Sequence, residues 1–232
     1  MADILLIHGS GHGAWCWHRV IPALRALGHD ARAIDLPGRG GAATSLADQA
    51  GAILAALPGP AVVLGHSAAG LPITAAAEID PARIRALVYL CAYAPRDGSS
   101  VGSLRREQRL QPLPPAIRVD RATASYGFDP AQIRELFYHD CPPEDLELAA
   151  RHLCAEPIAP QETALALTPR SQDLPRFYLR CTDDRAIPPE DQARMALTVP
   201  QANRFELPCG HSPFFAAPAL LAARLDEIAA RL

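Results

Sequence analysis

The sequence predicts an α/β protein: one mostly parallel sheet of about six strands, helices on both faces, and a helical segment inserted into it. Three observations lead there. Short apolar runs alternate with longer stretches of helical periodicity, the pattern of parallel strands joined by crossover helices. The alternation breaks between residues 94 and 173, where prolines and charges crowd the chain, and then resumes. A serine, Ser67, sits among small residues between an apolar run and an Ala-rich stretch. With 232 residues, 49% of them apolar, the chain suffices for one medium domain with a substantial core.

Taken in order, Ile4 to Ile7 reads as a central strand, ending at His8-Gly9. The Gly-rich loop that follows, Gly9-Ser10-Gly11-His12-Gly13, lets backbone amides approach a ligand. Trp17, Val20, Ile21, Leu24 and Leu27 recur at helical spacing, Gly28 supplies a stop, and Pro22 fits in the first turn. Ala31 to Leu36 is a second strand, closed by Pro37-Gly38. Ser45 to Leu57 is a second helix, with Ser45 and Asp48 as a variant capping box and Pro58-Gly59-Pro60 as its end. Val62 to Leu64 is a strand, Leu71 to Glu78 a helix, and Ile84 to Leu90 another strand.

In the broken region, Asp129-Pro130 starts a helix containing Ile133, Leu136 and Phe137, and Pro142-Pro143 starts another through Leu146, Ala149 and Leu153. We read 94–173 as a helical cap inserted into a core formed by 1–93 and 174–232. The sheet pattern resumes at Phe177 to Cys181, followed by a turn with Asp183-Asp184 and a helix from Pro189 to Val199. Arg204 to Leu207 is a last short strand before Cys209-Gly210-His211-Ser212. A final helix from Pro218 buries Leu221, Leu225, Ile228 and Leu232.

Net charge is −3 and the pI is near 6.2, with no basic run, so nucleic acid and acidic membrane surfaces are poor partners. No apolar run approaches a membrane span, and the N-terminus lacks a charged signal-peptide start. Six scattered cysteines without a Cys-x-x-Cys pair read as buried free thiols in a reducing cytoplasm, not as a metal site or disulfide frame. No cofactor or metal is required. The pattern leaves a homodimer open.

Ligands bind beyond the carboxyl ends of parallel strands. Ser67, the Asp183-Asp184 turn and His211 all fall there, each after a strand. A neutral hydroxyl is a poor nucleophile and needs a base; His211 can take its proton, and an aspartate behind the imidazole fixes its tautomer. Asp184 is favoured over Asp183, which can instead serve the turn. The serine turn fits a nucleophile elbow, although Gly-x-Ser-x-Gly is altered here: Ala69 replaces the second glycine and Gly70 follows. Two backbone donors for an oxyanion would come from Ala68 and Ser10. His12, Trp15, Tyr93, Phe128, Phe137 and Phe214 are candidates for lining an apolar pocket under the cap.

The run from His8 to Trp17 resembles the opening of the plant methylesterase and hydroxynitrile lyase branch of the α/β-hydrolase superfamily. Asp35 to Gly40 and Asp184 to Pro188 resemble that superfamily too. Arg180 to Pro188 and His211 to Phe215 are similar to bacterial small esterases of the pyrethroid-hydrolase-like kind. The resemblance implies an α/β-hydrolase fold and a serine esterase that cleaves a small carboxylic ester through an acyl-enzyme. Its alternatives are a cyanohydrin carbon–carbon lyase and a non-catalytic small-molecule receptor. The lyases carry Thr or Asn where this chain has Gly9, and the Thr-type lyases carry Lys where it has Ser212, so the resemblance implies hydrolase over lyase.

Overall fold

A computed structural model describes residues 1–232. The strands are β1 (Asp3–Ile7), β2 (Asp30–Ile34), β3 (Ala61–His66), β4 (Ile84–Leu90), β5 (Ile117–Asp120), β6 (Ser125–Phe128), β7 (Glu156–Pro157), β8 (Arg176–Cys181) and β9 (Arg204–Leu207). The helices are α1 (Val20–Ala26), α2 (Leu46–Ala55), α3 (Gly70–Ile79), α4 (Val101–Arg106), α5 (Pro130–Phe137) and α6 (Pro143–His152), then α7 (Ala159–Glu162), α8 (Pro169–Gln172), α9 (Pro189–Ala196), α10 (Pro213–Ala216) and α11 (Pro218–Ala229).

Six strands form one sheet in the order β2-β1-β3-β4-β8-β9, and every pair is parallel. The chain leaves β1 toward β2 on one side and returns to β3 on the other. The order therefore reverses between β1 and β3, and their carboxyl-end loops adjoin at the switch point where open α/β sheets hold ligands. Side chains alternate across the sheet. Ile4, Leu6, Val62 and Leu64 pack with Trp17, Leu24 and Leu225 on one face. Leu5, Ile7 and Val63 pack with Ile53, Ile73 and Ala76 on the other. Each such fully buried aliphatic side chain is worth about 1.5–3 kcal/mol.

Local signals set several boundaries. At α2, Ser45 Oγ accepts the Asp48 N–H at 3.1 Å while Asp48 accepts the Ser45 N–H at 2.9 Å. At α5, Asp129 accepts the Ala131 N–H at 2.9 Å. The first helix is shorter than the periodicity predicts. Trp17 belongs to a separate 3₁₀ turn, and Leu27 lies beyond the end of α1, 47% exposed, because Gly28 turns the chain at φ 86°. Leu232 follows α11 and is only half-buried.

Between β4 and β8 the chain is not all helical. α4, α5, α6 and α7 are joined there by a three-stranded antiparallel sheet, β5-β6-β7, which the sequence reading did not foresee. The turn between β5 and β6 places Ala124 at φ 50°, a conformation that glycine or asparagine normally marks.

Candidate active site

Ser67 directly follows β3, at φ 55° in the left-handed region that costs a residue with a Cβ. Neighbours hold the turn: the Tyr93 N–H donates to Ser67 O at 3.0 Å. The altered motif has a geometric explanation. A Cβ on Gly65 would stand 2.7 Å from Ala69 O, and one on Gly70 would stand 2.2 Å from Tyr93 O. Ala69 packs into the core at 2% exposure. The close approach that demands a glycine therefore falls at 70, not 69.

The Ser67 hydroxyl lies 3.2 Å from His211 Nε2, and His211 Nδ1 lies 2.7 Å from Asp184 Oδ2. All three residues are buried. Because a carboxylate only accepts, His211 carries its proton on Nδ1 and offers the Nε2 lone pair to the serine. Asp184 is further held by three donors. Oδ1 accepts the Ala186 and Ile187 N–H groups at 2.7 and 2.9 Å, and Oδ2 accepts Gln192 Nε2 at 2.8 Å. Gln192, fully buried, also binds Ile187 O and the Cys181 N–H, so it ties the carboxylate to β8. Asp183 points elsewhere and accepts from His139 Nε2 at 3.0 Å. Gln192 was missed in the sequence; its only signal was a polar residue on the inner side of α9.

The Gly-rich loop meets this arrangement from β1. A Cβ on Gly9 would stand 2.8 Å from His66 Nδ1 and 2.9 Å from Ser67 Cβ, so only glycine lets the loop come this close. The Ser10 and Ala68 N–H groups donate to no group within the chain. His66, not singled out in the sequence, donates from Nε2 to His211 O at 2.8 Å and so anchors the base's own loop. Burial and the neighbouring His211 hold its imidazole well below the ordinary range. His12 is pushed down to about 3, chiefly by burial. A neutral His12 donates from Nδ1 to Ser10 O at 2.9 Å and accepts the Tyr138 hydroxyl on Nε2 at 2.7 Å.

His66, Cys91 and His211 could bring three ligand atoms within 4.8 Å of one another. The set does not suit a metal. His211 uses both nitrogens on Asp184 and Ser67, and burial pushes the Cys91 thiol up to about 12, away from thiolate.

A narrow cleft opens on Ser67 and His211. His12, Tyr93, Phe128 and Phe137 line it, together with Ser10, Ala68, Tyr126, Arg105 and Gln161. Trp15 and Phe214 do not. Trp15 stacks on His12 from behind, with ring centroids 5.6 Å apart. Phe214 is fully buried edge-on to Trp17 and His66, which makes it core beneath the site. A second, larger hollow lies beyond Phe128, against α5 and α6, and neither Ser67 nor His211 lines it.

Residues 4–224 match the model of the Alpha/beta hydrolase family. "Probable esterase PIR7A" of Oryza sativa subsp. indica is 33% identical over 81% of this chain and 81% of that protein. Methylesterase 4 of Arabidopsis thaliana is 28% identical over 98% of this chain and 96% of that protein. Among solved structures, a pyrethroid hydrolase from Sphingobium faniae JZ-2 superposes with a TM-score of 0.89 at 26% identity, covering 99% of this chain and 97% of that one. The match along nearly the whole chain, on a sheet whose order and elbow fit it, makes this protein a member of the α/β-hydrolase family.

Proposed function

We propose that the protein is a serine hydrolase that cleaves small carboxylic esters, with Ser67 as nucleophile, His211 as base and Asp184 as its orienting acid. One observation carries the reading: the hydrogen-bonded chain Ser67–His211–Asp184, buried at the switch point of the sheet beside two unspent backbone N–H groups. Relatives named as esterase and methylesterase support it.

In this mechanism Ser67 Oγ attacks the ester carbonyl as its proton passes to His211 Nε2. The Ser10 and Ala68 N–H groups receive the oxyanion, each worth about 3 kcal/mol in the transition state. Asp184 stabilises the imidazolium that forms. His211 then returns its proton to the departing alcohol, and water repeats the sequence on the acyl-enzyme. The segment 94–173 acts as the cap over core 1–93 and 174–232, supplying most of the cleft wall. No helix is long and apolar enough to cross a membrane, and six free thiols suit a reducing compartment such as the cytoplasm. The lyase alternative is disfavoured sterically, since any side chain at position 9 would collide with His66 and Ser67.

Rapid-mixing hydrolysis of short-chain p-nitrophenyl esters tests the assignment. A burst equal to the enzyme concentration, absent in Ser67→Ala, is expected. Equal turnover by the two proteins would overturn it.

A further inference from the structure

The Ser67 cleft contains a charge that ester hydrolysis does not use. Arg105, on α4, lines it and is only partly exposed. Its guanidinium has no acceptor and no ion-pair partner in the chain, whereas Arg96 and Arg106 are matched. Arg106 forks onto Glu162 at 3.1 and 3.2 Å, and Arg96 pairs with Glu107. No aspartate or glutamate lines the cleft. Glu162 follows the lining residue Gln161, but it is taken up by Arg106 and presses against Gly102. The charge of Arg105 also reaches the buried phenols of Tyr93 and Tyr126, opposing the rise that burial imposes on them.

A guanidinium drawn partly out of water loses hydration and gains nothing in return unless something brings it a counter-charge. Among singly charged groups, a carboxylate matches its planar fork with two parallel hydrogen bonds. The rest of the wall is mostly apolar or aromatic, with the Gln161 amide as a further donor. We propose that the ester cleaved at Ser67 carries a free carboxylate, held by Arg105 with Gln161 beside it, so that the substrate is a half-ester of a dicarboxylic acid or an ester of a carboxylate-bearing alcohol. The inference rests on the esterase assignment above and adds to it the class of substrate. Water is consumed as the ester bond breaks. One product is the alcohol and the other a new carboxylic acid, and the carboxylate on Arg105 stays untouched.

Matched ester pairs test it. The p-nitrophenyl half-ester of glutaric acid against p-nitrophenyl pentanoate places the charge on the acyl side. Para-acetoxybenzoate against phenyl acetate places it on the alcohol side. The wild type is expected to favour the charged member of one pair by about tenfold or more in kcat/KM, the scale of a charge-assisted hydrogen bond. Arg105→Gln is expected to collapse that ratio to near one and Arg105→Lys to keep part of it. Arg109→Gln, which alters an exposed arginine just past the end of α4, should leave the ratio intact. Neutral esters hydrolysed through Ser67 as fast as charged ones would overturn the inference while sparing the esterase assignment. An equal loss on both members in Arg105→Gln would do the same. Absence of Ser67-dependent hydrolysis on all four esters would overturn both.

Discussion

Asp183 and Asp184 are adjacent in sequence, but their surroundings separate them. Both oxygens of Asp184 are occupied by His211, Gln192 and two backbone N–H groups, while Asp183 faces solvent and His139. Asp184→Asn should lower kcat by on the order of 10⁴, because an amide donating to His211 Nδ1 forces the wrong tautomer. Asp183→Asn should leave kcat within about twofold, because its carboxylate is largely exposed and touches neither His211 nor Ser67. A comparable loss in the two variants, measured with one activated ester, would contradict this assignment. The order serine, aspartate, histidine was legible because each residue follows an apolar strand. His66 and Arg105 were not, and Gln192 only as a polar residue at helical spacing from Met195 and Ala196, since a polar residue's inward direction is set by packing that spacing alone does not carry.

At the scale of the element, the strand–turn–helix around Ser67 depends on where backbone meets backbone. Gly70→Ala should destabilise the fold by about 1–3 kcal/mol or more, because its new methyl meets the rigid Tyr93 carbonyl. Ala69→Gly should cost only about 0.5–1 kcal/mol, the entropy of an added glycine. Urea unfolding of both variants checks the contrast, and similar midpoints would show that the constraint does not lie at 70. The parallel strands were legible as apolar runs, and the helix starts as caps and prolines. The β5–β6 hairpin was hidden for a definite reason. Its turn uses Ala124 where glycine or asparagine would signal one, and Val119 on β5 stands 58% exposed, so the pattern never alternates cleanly.

For the whole molecule, buried histidines set the response to acid. Unfolded, each imidazole binds a proton near pH 6.5; folded, His8 does so only near 4, His12 near 3, and His66 well below the usual range. Unfolding therefore takes up protons below pH 6.5, and the stability these groups lend is lost as pH falls. Glu156 works in the opposite sense. Burial pushes it up to about 7 from an ordinary 4.5, so the fold holds its proton where the unfolded chain has released it. Among these four groups the uptake by three imidazoles outweighs the release from one carboxyl near pH 5, so stability falls as pH drops below about 6. Urea titrations at pH 5 and 6 measure that slope, and Glu156→Gln should steepen it. A flat profile would show the histidines protonated within the fold.

The loop that offers the Ser10 N–H is not held by the sheet alone. Tyr126 donates to Ser10 Oγ at 2.7 Å and Tyr138 to His12, while the Cys154 N–H reaches Gly11 O at 3.1 Å and Glu156 accepts the Gly11 N–H at 3.1 Å. All four partners belong to 94–173. That segment and the reaction centre are thus not separable modules. A graft that exchanged 94–173 for a relative's would have to bring equivalents of all four partners to keep Ser10, Gly11 and His12 in place. Changes of selectivity in this protein therefore have to leave those four grips in place.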